Sequence, residues 1–476
     1  MFGCSGVSTA PQTPAAAYPV VAISDIHFNP LDDPSLYPAL AAAPASQWEN
    51  IFKSAESVSR KPPSAWGSDT NYPALVLALA GLKQNLGASP VVLFSGDMLG
   101  HDLPEWVCAL NSSPALPVTN PPQPCVLDAA GKVAMQGFLD QAMAYVALQI
   151  RATVGKVPVI FVPGNIDTYS VFGTGPDTTF LSDNANMYYT QLLNGSTDRA
   201  SFDKTFTALG SYSAQPLGSQ LLIVAFNSNP FSESPYVPPL DPYAELTWLD
   251  SQLAAAQSAG QKVWLIMHVP PGANTTATAQ NAAKAGTPDK TTDAESAMMW
   301  EPQYQLEFMQ ILARYPGLIS MGITGHTHMD EFRVLPTGDV MFGIPGISPC
   351  FGNNPAFKTF TISKDTLMPM DYQSINYGLG VSPAPAQFNS LYTFSSTYGA
   401  TPNTSLQTSS RQLYPQLTPT GAGTPDFINY YDSGNVSLIP VLNIPWNMAN
   451  AVNWPLYACG ISQMDVQDYV NCVNTY

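Results

Sequence analysis

The chain of 476 residues is acidic and has few charges: 17 lysines and arginines stand against 34 aspartates and glutamates, for a net charge of −17. A protein with this negative charge repels polyanions, so we expect no nucleic-acid polymer to bind. Hydrophobic residues make up 45% of the chain, enough for a large core in one or two domains. No apolar run is long enough to predict a membrane span.

Five short apolar runs, rich in β-branched residues, predict buried strands. They cover residues 20–24, 91–95, 157–162, 263–267 and 319–324. Segments with helical character lie between several of them, at residues 74–84, 135–152, 243–259 and 304–315. Strands that alternate with helices predict an α/β fold with buried sheets, in which ligands bind at the carboxyl ends of the strands.

A short polar cluster follows each predicted strand, and all five histidines lie in or beside these clusters. The clusters are Asp25-Ile26-His27, Gly96-Asp97 with His101 close behind, Gly164-Asn165, His268, and Gly325-His326-Thr327-His328. Imidazole, carboxylate and amide oxygen form the mixed ligand set of zinc, iron or manganese sites. One lone histidine usually packs or caps locally, but all five in this pattern predict a single metal centre.

The order of these motifs, D-x-H, G-D, G-N, H and G-H-x-H, resembles that of the calcineurin-like metallophosphoesterase superfamily. Longer strings resemble the acid sphingomyelinase-like phosphodiesterase family, among them SDIHFNP, GDMLGHDLPEW, HVPPG and SPCFGNNPAF. The resemblance implies a two-sheet sandwich flanked by helices. It also implies a catalytic domain over residues 18–377 and a C-terminal, mainly helical or irregular subdomain over 378–476, packed on the core, while the Pro-, Ala- and Thr-rich composition of residues 1–17 predicts a flexible tail.

Carried over to this sequence, the resemblance implies two metal ions, zinc first and other divalent transition metals as the alternative. The implied ligands are Asp25, His27 and His328 for one ion, Asn165, His268 and His326 for the other, and Asp97 as the bridge. Two neighbouring cations activate water near neutral pH and neutralise phosphoryl oxygens as charge builds on them.

One position departs from the family pattern, which commonly reads G-N-H: Ile166 stands in the place of that histidine. His101 matches a second family histidine near the leaving group, so we expect it to be the general acid for an alkoxide leaving group. The alternative is that His101 only binds phosphate or supports Asp97. Asn353 and Asn354 lie where the family's strings approach the site, and we expect them to contact substrate.

The predicted function is hydrolysis of a phosphodiester, in a sphingomyelin-like lipid or in a nucleotide or other small molecule. The alternative is a metal-binding protein of the same fold with weak or lost turnover, for which Ile166 is the only hint. The complete ligand set favours the enzyme. Residues 273–297, which directly follow HVPPG, predict a mobile loop over the substrate cleft.

The cysteines predict an oxidising compartment. Two local pairs are typical of disulfides, Cys108 with Cys125 and Cys459 with Cys472. We expect Cys350 to be a buried free thiol or to form a disulfide with Cys4. Cys4 is followed by small residues, so it predicts a lipid anchor and association with a membrane surface. We therefore expect a secreted, periplasmic or cell-surface lipoprotein, and the sequence leaves the oligomeric state open.

Overall fold

The computed structural model describes residues 16–112, 115–119, 122, 125–170, 175–232, 240–284, 298–381, 384–418, 420–435 and 453–476. These residues contain twelve strands: β1 (Ala17–Ile23), β2 (Val92–Phe94), β3 (Val159–Phe161), β4 (Tyr212–Ala214), β5 (Leu221–Ala225), β6 (Lys262–Ile266), β7 (Ile319–Thr324), β8 (Phe332–Val334), β9 (Val340–Gly343), β10 (Ala356–Ser363), β11 (Pro369–Asn376) and β12 (Asn389–Thr393). The strands form two six-stranded sheets, in the orders β12-β11-β10-β1-β2-β3 and β4-β5-β6-β7-β9-β8.

Helices flank both sheets, and the described part of the chain contains sixteen α-helices. They are α1 (Tyr37–Ala42), α2 (Ala45–Ser54), α3 (Glu56–Ser59), α4 (Tyr72–Leu86), α5 (Leu103–Asn111), α6 (Ala129–Val154), α7 (Thr178–Tyr188), α8 (Arg199–Leu209), α9 (Pro242–Ser258), α10 (Thr275–Lys284), α11 (Pro302–Ala313), α12 (Phe394–Tyr398), α13 (Leu406–Leu413), α14 (Thr424–Tyr431), α15 (Trp454–Gly460) and α16 (Val466–Thr475). The predicted α/β fold is confirmed, and each predicted strand and helix lies within a few residues of an observed one.

Each sheet contains a run of parallel strands. Strands β1, β2 and β3 run parallel in the first sheet, and β5, β6, β7 and β9 run parallel in the second. All residues of β2, β3, β5 and β7 are buried, because parallel strands are covered on both faces. Strands that run in one direction end together, so the loops after them meet at one edge of each sheet.

The two sheets pack face to face. Successive side chains of a strand point to opposite faces, and in β5 Leu221 and Ile223 belong to the core between the sheets. The alternate residues Leu222 and Val224 belong to a second core with the helices α9 and α11. Because Phe342 of the second sheet packs against Phe360 of the first, with ring centroids 5.8 Å apart, the sandwich predicted from the resemblance is the observed architecture.

The C-terminal segment packs on this sandwich and also extends it. Strand β12 pairs antiparallel with β11, so the first sheet continues past residue 377. Phe427, Trp454 and Tyr469 lie in the core shared by the two sheets. At the other end, β1 begins at Ala17, while residues 1–15 of the predicted tail lie outside the described residues.

The two predicted disulfides are confirmed, between Cys108 and Cys125 and between Cys459 and Cys472. Cys350 is a free, half-buried thiol. Cys4 lies outside the described residues, so its predicted lipidation stays a prediction. Within the described ranges, no helix combines the length and the apolar character needed to cross a membrane.

Candidate metal centre

The loops after five parallel strands bring all seven predicted ligands together where the carboxyl ends of the two sheets meet. Asp25 and His27 follow β1, Asp97 follows β2, Asn165 follows β3, His268 follows β6, and His326 and His328 follow β7. Their side chains form two adjoining groups that share one carboxylate.

The first group contains Asp25, His27 and His328. The Nε2 atoms of the two histidines are 3.1 Å apart. The Oδ1 atom of Asp25 lies 3.7 Å from Nε2 of His27 and 3.4 Å from Nε2 of His328. These three donors converge on one point, as the ligands of a single cation do.

The second group surrounds the side-chain oxygen of Asn165. This Oδ1 atom lies 2.9 Å from Nε2 of His268 and 2.8 Å from Nδ1 of His326. Asp97 stands between the groups, because its Oδ2 atom is 3.4 Å from Nε2 of His27 and 3.0 Å from Nε2 of His268. One carboxylate therefore faces both groups.

Backbone carbonyls fix the tautomers of three of these histidines. The Nδ1 atoms face the carbonyl oxygens at 3.0 Å for His27 with Leu99, 2.6 Å for His268 with Ser95, and 3.2 Å for His328 with Ser348. A ring nitrogen that faces a carbonyl oxygen carries a proton, so in the neutral ring the Nε2 lone pair is directed into the group. Lone pairs that face each other across 3.1 Å repel, and a cation between them removes that repulsion.

The backbone of the ligands is strained in a consistent way. Five of the seven have left-handed φ angles, between 43° and 69°, and these are Asp25, His27, Asp97, His326 and His328. A non-glycine residue rarely adopts this conformation, and each such residue costs on the order of 1–3 kcal/mol. Strain repeated at successive ligands is typical of a site held by its surroundings for function.

The electrostatics of the cluster also suit a cation. Burial would raise the pKa of Asp25, but His328 and other imidazoles outweigh burial and lower it to about 2. Burial lowers the pKa of His326 to about 4 and that of His328 to about 3, so both rings are neutral at pH 7. Burial opposes a charge on His268, yet the Asp97 carboxylate raises its pKa to about 9. The cluster therefore attracts positive charge, and metal ions would supply it.

Asp167 organises this centre, and sequence reasoning missed it. Its buried carboxylate accepts hydrogen bonds from the backbone N–H groups of Asp97, Met98, Leu99 and Gly164, at 2.8–3.2 Å. One side chain thus ties the loop after β2 to the loop after β3. The available signal was a carboxylate two residues after Asn165 of the G-N motif, at a position with no predicted ligand role.

His101 lies beside the first group and lines a cavity that opens over both groups. Its ring stacks on that of His27, with 4.0 Å between centroids, and its side chain is 29% exposed. The Nδ1 atom lies 2.9 Å from Oδ1 of Asp69, a second buried carboxylate that the sequence analysis missed. Burial lowers the pKa of His101, but Asp69 and Cys350 outweigh burial and hold it well above its ordinary value.

A cavity of about 330 Å³ opens over the two groups. Ile166 contributes to its wall, and its backbone N–H donates to Oδ1 of Asp97 at 2.8 Å. The isoleucine thus supports the shared carboxylate through its backbone and offers the cavity an apolar surface with no proton. Phe351 and Met299 add further apolar wall.

Asn353 and Asn354 lie behind the cavity wall, and both are buried. The side-chain amide of Asn353 donates to the carbonyl of Ser348 at 3.0 Å, the carbonyl that faces Nδ1 of His328. The amide of Asn354 donates to the carbonyl of Ser433 at 3.1 Å. The amide of Asn353 therefore supports the loop around His328, and that of Asn354 holds the backbone at Ser433, so their contact with substrate stays a prediction.

The segment predicted as a mobile loop over the cleft is a helix in its described part. Helix α10 covers Thr275–Lys284, and residues 285–297 lie outside the described residues. Over residues 275–284 the expectation of a loop was wrong. Four of these ten residues are alanines, which favour helix, and Oδ1 of Asn274 accepts from the backbone N–H of Ala277 at 2.9 Å, as a helix N-cap does. Asn274, Thr276 and Ala277 line the cavity, so this segment does cover the site.

Comparison with known proteins identifies the family of this chain. The family model for Calcineurin-like phosphoesterase matches residues 18–330, more than half of the chain. The chain belongs to that family. A sphingomyelinase phosphodiesterase D from Dictyostelium discoideum is 23% identical over 71% of this chain and 70% of its own. The human sphingomyelin phosphodiesterase is 25% identical over 56% of this chain, but the match spans only 40% of that relative's length.

Among solved structures, a dimetal phosphatase from Danio rerio covers 80% of this chain and 99% of its own, with a TM-score of 0.40 and 12% identity. The family match and the curated relatives confirm the predicted resemblance to acid sphingomyelinase-like phosphodiesterases. They also confirm the predicted enzyme class, a hydrolase that acts on phosphodiesters. Enzymes of this family use divalent metals.

Gly164→Ala tests the packing around the shared carboxylate. A Cβ atom at this position would lie 1.9 Å from Oδ1 of Asp97, so the carboxylate must move. We expect metal affinity to fall on the order of 10–100-fold, measured by elemental analysis after dialysis against graded chelator. Gly137→Ala is the control, because a Cβ atom there meets nothing within 4 Å. Unchanged metal affinity in Gly164→Ala would contradict the geometry described for Asp97.

Proposed function

We propose that the protein is a binuclear zinc phosphodiesterase that hydrolyses a sphingomyelin-like lipid or a small-molecule diester by water attack. The observation that carries this proposal is the convergence of seven donor side chains, one of which is the shared carboxylate of Asp97. The curated relatives named as sphingomyelin phosphodiesterases support the lipid diester as substrate.

The donor set fits two divalent cations. Asp25, His27 and His328 would hold one, while Asn165, His268 and His326 would hold the other, with Asp97 between them. Four imidazoles with carboxylate and amide oxygens favour zinc among the common divalent metals. Such cations supply Lewis acidity toward the phosphoryl oxygens and lower the pKa of a nearby water.

The protein's own residues would orient the substrate and move the proton. His101 lines the cavity, and Asp69 holds its Nδ1–H at 2.9 Å, which leaves Nε2 as the nitrogen that gives a proton to the leaving oxygen. A diester's alkoxide is a poor leaving group, so this donation matters for turnover. Ile166 supplies apolar wall in the place of the usual histidine, so proton transfer rests on His101.

We also propose an exported or surface location. Two disulfides are typical of proteins that mature outside the reducing cytosol. A lipid on Cys4 would hold the enzyme near a membrane surface that contains its substrate. Mass spectrometry of the mature N-terminus tests this anchor directly.

Asp97→Asn tests the shared ligand. This substitution removes the charge that faces both groups, so we expect metal content to fall from about two ions per chain, and diesterase activity to disappear with it. Elemental analysis and a nitrophenyl diester assay measure the two effects. Asp102→Asn removes the same charge five residues away and should retain both ions. If Asp97→Asn keeps two ions and near-normal turnover, the proposed bridge is wrong.

His101→Ala tests the general acid. With an alkyl phosphodiester, we expect a loss on the order of 10²–10⁴-fold, because the leaving alkoxide needs a proton. With a p-nitrophenyl ester the loss should be far smaller, since that leaving group departs unaided. Metal content should not change.

Two results would assign His101 differently. Equal losses on both esters mean that it binds phosphate or supports a ligand. Loss of metal means that it is itself a ligand. A protein that binds two ions but turns over neither ester corresponds to the alternative, a metal-binding relative without activity.

A further inference from the structure

Asn274, Thr276 and Ala277 form one wall of the cavity. The side of this wall that faces away from the cavity packs against the C-terminal segment. Helix α10 packs against α15, and the hydroxyl of its Thr275 is hydrogen-bonded to that of Tyr431 in α14 at 3.1 Å. The hydroxyl of Thr276 interacts with that of Tyr457 in α15. Tyr431 and Tyr457 are buried, so their hydroxyl groups cannot exchange these partners for bulk water without a cost.

Tyr431 also connects the wall to the loop that carries a candidate ligand. Its hydroxyl donates to Oε2 of Glu331 at 3.0 Å, so it accepts its other hydrogen bond from Thr275. Glu331 pairs with Arg333 at 3.2 Å, and Arg333 donates to the carbonyl of Pro271 at 2.6 Å. Pro271 lies between His268 and α10, so one buried network holds both ends of this segment.

Helix α15 approaches α10 closely at Gly460. A Cβ atom on Gly460 would lie 2.3 Å from the Cγ2 methyl of Thr275, while the next nearest atom, Cβ of Thr275, would be 3.8 Å away. A side chain at position 460 would therefore clash with one atom only, the Cγ2 methyl of Thr275. The disulfide between Cys459 and Cys472 joins α15 to α16 directly beside this contact.

We propose that the helices α14, α15 and α16 of the C-terminal segment set the position of α10 and thereby select which diester substituents the metal cavity admits. Tyr431, Tyr457 and Gly460 are positioning residues, since they act through α10 and do not line the cavity. The family match ends at residue 330, so this control of the cavity belongs to a part of the chain outside it. The selection of substituents rests on the proposed function, whereas the positioning of α10 does not.

Gly460→Ala is the test, with Thr275→Ser as its partner. The added methyl should displace α10, and kcat/KM for sphingomyelin should fall about tenfold relative to that for methyl p-nitrophenyl phosphate, whose small substituent makes little use of the wall. Metal content should stay unchanged. Thr275→Ser keeps the hydroxyl but removes the Cγ2 methyl, so the double variant should recover the wild-type ratio.

Hydrogen exchange of residues 275–284 provides a readout that needs no activity. Exchange should rise in Gly460→Ala and return to the wild-type level in the double variant. Tyr457→Phe, which removes only the hydroxyl partner of Thr276, should shift the substrate ratio in the same direction by less.

Two results would overturn the proposal: an unchanged ratio with unchanged exchange in Gly460→Ala, or a defect that Thr275→Ser does not reverse. If the wild-type protein cleaves neither diester, the proposed function fails. In that event the exchange data still decide whether the C-terminal segment positions α10.

Discussion

The structure depends on the cost of burying several charged and polar groups around one carboxylate. Asp97 is buried, and it faces imidazoles of both candidate metal groups at 3.0 and 3.4 Å. Burial raises the pKa of a carboxyl, but His268 and His27 outweigh burial and hold the pKa of Asp97 well below its ordinary range. An anion at this depth needs positive charge close by, so the strands, loops and tautomers around it are arranged to supply cation ligands.

The surrounding fold resists the relaxation of this arrangement. Parallel strands of two sheets end together, which places five loops within reach of one another, and left-handed backbone turns then direct the side chains inward. Asp167 accepts four backbone hydrogen bonds and fixes two of these loops without contacting a substrate. The strained backbone of the ligands is stable only because packing and hydrogen bonds from every side determine it.

The wall of the cavity at α10 is held by a different part of the chain. The metal side of the cavity is built from loops inside the family match, whereas the wall at α10 is held by tyrosines of the C-terminal segment. Strand β12 and the aromatic residues of the last helices also join this segment to the core of the sandwich. Such a division lets the ligands stay constant while changes in the C-terminal segment alter which diesters fit.

The sequence by itself determined the strands, the candidate ligands, the two disulfides and the family. Each of these leaves a local signal: a β-branched run, a short polar motif directly after it, or two cysteines close in the chain. Asp167 was within reach of the same reasoning, because it lies two residues from Asn165.

Only the tertiary structure decided the roles that depend on distant contacts. Asp69 has no motif of its own and acquires its role because the fold places it 2.9 Å from His101. Asn353 and Asn354 lie in a family-like string, yet packing turns their amides toward backbone carbonyls. The position of helix α10 depends on Tyr431, which lies 156 residues beyond its hydrogen-bond partner Thr275 in the chain. Local sequence carries no record of partners that only folding brings together.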